Sequence, residues 1–171
     1  MSFSFLPRLM LDTLTDLTPQ MLRERGITLL MLDFDNTIVP YTRDVPTPEM
    51  AAWLAGLRQS GIQPCIVSNS KRQRVVEFSR QYGLDCVTHA KKPFSRGIRE
   101  CLARYQTAPE HAALVGDQIY TDVLGGNCAG LCSILVRAID NHNIWLKLRH
   151  AAELPFIFIA RGRKCDVCKS E

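Results

Sequence analysis

Two acids one residue apart, Asp33 and Asp35, stand at the end of the stretch Leu29-Leu30-Met31-Leu32-Asp33-Phe34-Asp35-Asn36-Thr37. Carboxylates this close repel when both are ionised, so the pair costs stability unless a cation or a shared proton compensates. Polar residues follow three other short apolar runs: Ser68-Asn69, Lys92 (with Lys91 as the alternative lysine), and Asp117 with Asp122. The set fits a divalent-metal and phosphate centre. A carboxylate at a strand tip can attack phosphorus and carry the phosphoryl group. A second carboxyl can protonate the leaving alkoxide and then deprotonate the hydrolytic water. A hydroxyl and backbone N–H groups where a helix begins can bind phosphate oxygens. A lysine can neutralise charge, and further acids complete an oxygen-ligand site of the kind Mg²⁺ takes.

These residues need a scaffold that brings them to one edge. A continuous apolar run such as Leu29–Leu32 suits a strand buried on both faces of a parallel sheet. Such sheets bind ligands at the carboxyl ends of their strands. The pattern predicts strands over 27–33, 62–67, 85–89, 112–115 and 132–136, with helices between them. Thr18-Pro19 and Thr47-Pro48 read as N-caps followed by proline at the first helical position. Gly26, Gly61, Gly83 and Gly130 read as helix stops. Helices are expected over 48–60, 71–82 (Val75, Val76, Phe78 and Tyr82 inward), 95–105 and 118–128. The expected fold class is α/β: a three-layer Rossmann-like arrangement with a five-stranded parallel sheet and right-handed crossovers. Between Asp35 and Ser68 there is room for a loop, one helix and one strand, and so no large cap domain.

The four groups, in this order, resemble the four motifs of haloacid dehalogenase (HAD) superfamily phosphatases: Asp33-Phe34-Asp35-Asn36-Thr37, Ser68-Asn69, Lys92-Pro93, and Gly116-Asp117-Gln118-Ile119-Tyr120-Thr121-Asp122. The resemblance spans about residues 18–136. Thr121-Asp122-Val123-Leu124-Gly125-Gly126-Asn127, with Thr18-Pro19…Gly26-Ile27 before the first strand, is similar to the YqeG-type branch of the capless subclass IIIA. That branch is similar in turn to the mitochondrial phosphatidylglycerophosphate phosphatases. The resemblance implies Asp33 as nucleophile and Mg²⁺ ligand, and Asp35 as general acid/base with its carbonyl on the metal. It implies Thr37 as the residue orienting that loop, Ser68 and the Asn69 backbone as phosphate binders, and Lys92 as the charge-stabilising lysine. Asp117 and Asp122 would complete the metal site. Ser70 is a departure, since many relatives carry Asn there.

Composition sets bounds. The 171 residues suit one domain, with a core at about 18–136 and an extension at 137–171. The net charge of +4 is too mild to argue for nucleic acid, and no nucleic-acid partner is expected. Seven Lys/Arg against four Asp/Glu lie from Arg137 onward, so the tail holds most of the excess. No signal-peptide pattern opens the chain and no run approaches the length of a membrane span, so a cytoplasmic location is the expectation. The seven cysteines are odd in number and scattered, which favours reduced thiols over a disulfide framework. Cys165 and Cys168 form a single C-x-x-C, read as a tail thiol pair with metal or redox use second.

The expected activity is Mg²⁺-dependent phosphomonoester hydrolysis through an aspartyl-phosphate. The expected partner is a phosphorylated small molecule or a lipid head group, with phosphatidylglycerophosphate implied by the resemblance. A soluble phosphorylated metabolite or nucleotide is the competing substrate, and a non-catalytic binding module is the reading of another class. Leu154–Ala160, an apolar heptapeptide beside Arg161, Arg163 and Lys164, is read first as buried in a core or dimer interface. A peripheral seat on an anionic membrane is its second reading. The sequence carries no sign of oligomeric state.

Overall fold

Leu29–Leu32 (β2) is buried at every position and lies at the centre of the sheet, paired in parallel with strands on both sides. The computed structural model describes residues 4–70 and 73–140. In chain order its other strands are β1 (Leu9–Leu11), β3 (Gln63–Val67), β4 (Asp85–Val87), β5 (Ala112–Gly116) and β6 (Cys132–Val136). The α-helices are α1 (Pro19–Arg23), α2 (Pro48–Gln59), α3 (Gln73–Gln81), α4 (Arg96–Tyr105) and α5 (Leu124–Ala129).

The strand order is β1-β6-β5-β2-β3-β4 and every pairing is parallel. The chain starts at one edge with β1, crosses to β2 at the centre, builds outward through β3 to β4, then returns to β5 and β6, which fills the place between β5 and β1. The order therefore reverses between β2 and β5, where open α/β sheets leave a crevice at the carboxyl ends of the strands. Asp33 follows β2 and Asp117 follows β5, so the two acids flank that crevice.

Three layers follow from the alternation of side chains along each strand. Leu30 and Leu32 join one core with Leu54 and Leu57 of α2 and Val75 and Phe78 of α3. Leu29 and Met31 join the opposite core with Ile98, Cys101 and Leu102 of α4. Helices thus cover both faces, which is what parallel crossovers require.

The local signals operate as read. Thr18 Oγ1 accepts from the Met21 N–H and Thr47 Oγ1 from the Met50 N–H, each at 3.2 Å, with proline at the first helical position in both helices. Gly26, Gly61, Gly83 and Gly130 all have positive φ, as helix stops of this kind need.

Three expectations are corrected. The sheet has six strands rather than five: Leu9–Leu11 adds an edge strand on β6, too short at three residues for alternation to reveal it. Val76 faces outward at 37% exposure, because the buried face of α3 runs through Val75, Phe78 and Ser79. The helix expected over 118–128 begins as a π-helical turn, Ile119–Val123, and becomes α-helical only at Leu124. The helix expected over 144–154, the heptapeptide 154–160, the three basic residues beside it and Cys165/Cys168 lie outside the described residues. The five described cysteines are all free thiols. No helix among the described residues is long and apolar enough to cross a membrane.

Candidate active site

Each polar group at the sheet edge sits where its strand ends. The Asp33 N–H donates to the carbonyl of Val115 on β5 at 2.9 Å, so the ladder runs one residue past β2 and fixes the base of the first acid. Ser68 continues β3 by donating its N–H to Val87 on β4 at 3.0 Å. Lys92 follows β4, and Asp117 follows β5 at once.

Lys92 is the residue that joins them. Its Nζ lies 2.6 Å from Asp33 Oδ1 and 2.7 Å from Asp122 Oδ1, with its side chain 1% exposed. Lys91 is exposed. Burial opposes the charge of Lys92, but Asp122 and Asp33 more than offset it and hold the ammonium above the usual lysine range. Burial pushes the Asp33 carboxyl up to about 6, against the pull of Lys92 and with a further push from Asp122. A buried charge triad of this kind is costly to interrupt, because removing one member leaves the others uncompensated.

Asp33, Asp117 and Asp122 are buried together, and one carboxylate oxygen from each lies within 4.8 Å of the others. Asp33 and Asp122 share the Lys92 ammonium with Asp117 buried beside them, and a divalent cation would suit carboxylates gathered this closely. The donors are all oxygen, which suits a hard cation such as Mg²⁺. Asp122 can approach this closely because residue 116 is glycine: a Cβ there would stand 2.3 Å from the Asp122 carboxylate. The Gln118 N–H also donates to Asp122 Oδ2 at 3.1 Å, across the π-helical turn.

Lys92 is held from behind. The Asn69 carboxamide exchanges two hydrogen bonds with the Lys92 backbone, Nδ2 to the carbonyl at 2.9 Å and the Lys92 N–H to Oδ1 at 2.6 Å. This side-chain role was not expected, since only the Asn69 backbone was assigned a task. Ser68 is buried and its Oγ accepts from the Ser70 N–H at 3.1 Å, which ties the turn after β3. Gly125 and Gly126 are a packing feature, α5 lying close to Pro93 and to Ser133 and Leu114.

Asp35 lies two residues beyond Asp33, on a loop closed by a bridge between Asp35 and Val39. Its Oδ1 is 3.4 Å from Nη1 of Arg74. Thr37 is buried, and its hydroxyl makes no hydrogen bond to a described residue. The loop is held instead by Asn36, which adopts φ +67°, a conformation asparagine tolerates. Asn36 is fully buried, and its carboxamide donates to the Asp140 carbonyl at 2.7 Å and accepts from the Asp140 N–H at 2.8 Å. Asn36 and Arg74 were both missed as site residues. Their partners lie 104 and about 30 residues away in the chain, so spacing carries no sign of them.

The geometry gathers five of the expected residues around one point: Asp33, Lys92, Asp117 and Asp122 directly, and Asn69 through the Lys92 backbone. Asp35, Thr37 and Ser68 lie just beyond the carboxyl ends of β2 and β3, at the same sheet edge.

Comparison with known proteins agrees with this arrangement. The family described as haloacid dehalogenase-like hydrolase matches residues 5–130. The chain is 35% identical over 132 residues to a probable phosphatase, YqeG, of Bacillus subtilis, covering 77% of each chain. Among solved structures it superposes on an uncharacterized protein from Listeria monocytogenes serotype 4b with a TM-score of 0.54 at 18% identity, covering 77% of this chain and 99% of that one. It also superposes on the cobalt-bound deoxy-D-mannose-octulosonate 8-phosphate phosphatase of Haemophilus influenzae, with a TM-score of 0.53 at 12% identity, covering 85% and 95%. Those two likenesses concern the fold. With the family match over most of its length and the close relative beside it, the chain belongs to the haloacid dehalogenase-like hydrolases and is a phosphatase enzyme of that family.

Proposed function

We propose that the chain hydrolyses phosphomonoesters through an aspartyl-phosphate on Asp33, with Mg²⁺ as its cation. The observation that carries this reading is the triad at the β2/β5 crevice, in which Lys92 bridges Asp33 and Asp122 beside the buried Asp117. Asp33, Asp117 and Asp122 would hold the cation, together with the Asp35 carbonyl. The cation would neutralise charge on the phosphoryl oxygens and on the nucleophile as they approach.

Asp33 attacks phosphorus, and the bond from phosphorus to the leaving oxygen breaks. Asp35 gives its proton to that oxygen, then removes one from the water that hydrolyses the acyl phosphate. Lys92 holds Asp33 in place and offsets charge as the phosphate binds. Ser68 and the Asn69 N–H take phosphate oxygens.

The substrate reading rests on openness. Between Asp35 and Ser68 lie only a loop, α2 and β3, so no inserted domain stands there. A groove of about 630 Å³ opens beside Thr37, lined by Arg43 and Arg137, by Asp12 and Glu49, and by Pro40, Val45, Pro46 and Ile139. An uncovered edge would admit a phosphate carried on a large lipid head group, and phosphatidylglycerophosphate is the substrate we propose. The test is a panel of soluble phosphate esters beside phosphatidylglycerophosphate in mixed micelles, with Asp33→Asn as the blank. Turnover fastest on the lipid supports the reading. Activity only on soluble esters, unaffected by micelles, moves the substrate to a small metabolite.

A further inference from the structure

Arg74, near the start of α3, turns its guanidinium onto one short loop. Nη1 donates to the Tyr41 carbonyl at 3.1 Å. Nη2 donates to the carbonyls of Pro40 at 3.1 Å and Arg43 at 2.9 Å. Nε lies 2.8 Å from Asp44 Oδ1. The remaining contact of Nη1, at 3.4 Å, is Asp35 Oδ1. Three of these contacts are hydrogen bonds to loop carbonyls and two are ion-pair approaches to carboxylates, a use that suits the planar fork of a guanidinium.

The same guanidinium stacks over the ring of Phe34, 5.1 Å from its centroid. Phe34 is the residue between the two acids. Phe78, one helical turn beyond Arg74, meets the same ring edge-on at 5.1 Å. Residues four apart share a helix face, so α3 grips Phe34 with a cation and an aromatic ring at once. The Arg74 side chain is 13% exposed and the Asp35 side chain 14%, so water screens their contact only weakly. The sequence reading gave this arginine no task.

We propose that Arg74 is a positioning residue for Asp35. It anchors the loop that follows the acid and stands 3.4 Å from Oδ1, which fixes where that carboxyl sits at the edge of the site. The proposal rests on the reading of Asp35 as the group that protonates the leaving oxygen. In that step the new bond joins Asp33 to phosphorus. The old phosphorus–oxygen bond breaks, and its electron pair stays on the leaving oxygen, which receives the Asp35 proton.

A positioned acid matters in proportion to how badly the leaving group needs a proton. Para-nitrophenolate leaves without one, whereas the alkoxide of β-glycerophosphate does not. The experiment measures kcat/KM for both esters with wild-type enzyme, Arg74→Gln and Arg74→Lys. This constant reports steps up to the first phosphoryl transfer, so later hydrolysis of the acyl phosphate does not blur it.

For Arg74→Gln, kcat/KM on β-glycerophosphate is expected to fall about 10- to 100-fold further than on para-nitrophenyl phosphate, a share of the usual worth of a general acid. Arg74→Lys keeps a cation without the fork and falls between. If the Gln variant does not fold, the Lys variant carries the same comparison. Asp44→Asn removes only the exposed outer contact of Arg74 and is expected to keep the wild-type ratio between the two esters. Equal losses on both esters, or none, overturn the proposal alone. So does an Asp44→Asn ratio that moves as far as that of Arg74→Gln. Wild-type enzyme inert towards both esters and towards phosphatidylglycerophosphate in mixed micelles overturns the phosphomonoesterase reading, and this proposal with it.

Discussion

The side chain of Asn69 and the backbone of Lys92 form a reciprocal pair of hydrogen bonds, 2.9 and 2.6 Å long, that spans 23 residues of chain. The turn after β3 thereby sets the height at which Lys92 meets Asp33. Asn69→Ala removes both bonds. It is expected to cost about 1–3 kcal/mol in urea unfolding and to lower turnover more than a surface substitution of equal cost. Wild-type turnover in a well-folded Asn69→Ala protein would show that Lys92 needs no such support.

Lys91 and Lys92 separate cleanly. Lys92→Met strands Asp33 and Asp122 without their shared counter-charge, and the metal-free protein is expected to lose about 3–5 kcal/mol along with its activity. Lys91→Met changes an exposed side chain and is expected to stay within about 0.5 kcal/mol of wild type, with activity retained. Parallel melts and assays of the two variants decide the matter.

Gly116 controls how near Asp122 comes. In Gly116→Ala a methyl group would stand 2.3 Å from the Asp122 carboxylate, so the acid or the strand must shift. The expected results are a loss of about 1–3 kcal/mol and a weaker response to Mg²⁺, both read from thermal melts with and without the ion. A variant that melts and responds as wild type does would mean that Asp122 has room elsewhere.

Mg²⁺ itself is expected to stabilise the protein by relieving repulsion among Asp33, Asp117 and Asp122. A ligand at a hundredfold excess over its Kd adds about 2.7 kcal/mol, so the melting temperature should climb with Mg²⁺ concentration. A chelator should reverse the climb and remove activity together. Asp117→Asn should flatten the response. An unchanged melting temperature over a wide range of Mg²⁺ would argue against a cation at this cluster.

How legible the site was depended on distance along the chain. Asp33, Ser68, Lys92 and Asp117 could be read because each ends or follows a short apolar run, and parallel strands bring such ends to one edge. The edge strand β1 stayed hidden because its three residues, Leu9–Leu11, cannot display an alternation. Arg74 and Asn36 stayed hidden for a different reason. Their partners are mostly backbone groups of distant segments, Pro40, Tyr41, Arg43 and Asp140, and a carbonyl has no signature in sequence. The π-helical turn at Ile119–Val123 is invisible in the sequence, because its residue types do not separate it from an α-helical start.

The central claim is that Asp33 becomes covalently phosphorylated. Its most direct test is acid quench of the enzyme during turnover of a phosphate ester in Mg²⁺, followed by mass spectrometry of the peptide holding Asp33. The account predicts one added phosphoryl group on Asp33 in wild-type enzyme, and neither adduct nor turnover in Asp33→Asn. A phosphoryl group found on another residue, or an Asp33→Asn protein that turns over at the wild-type rate, would contradict it.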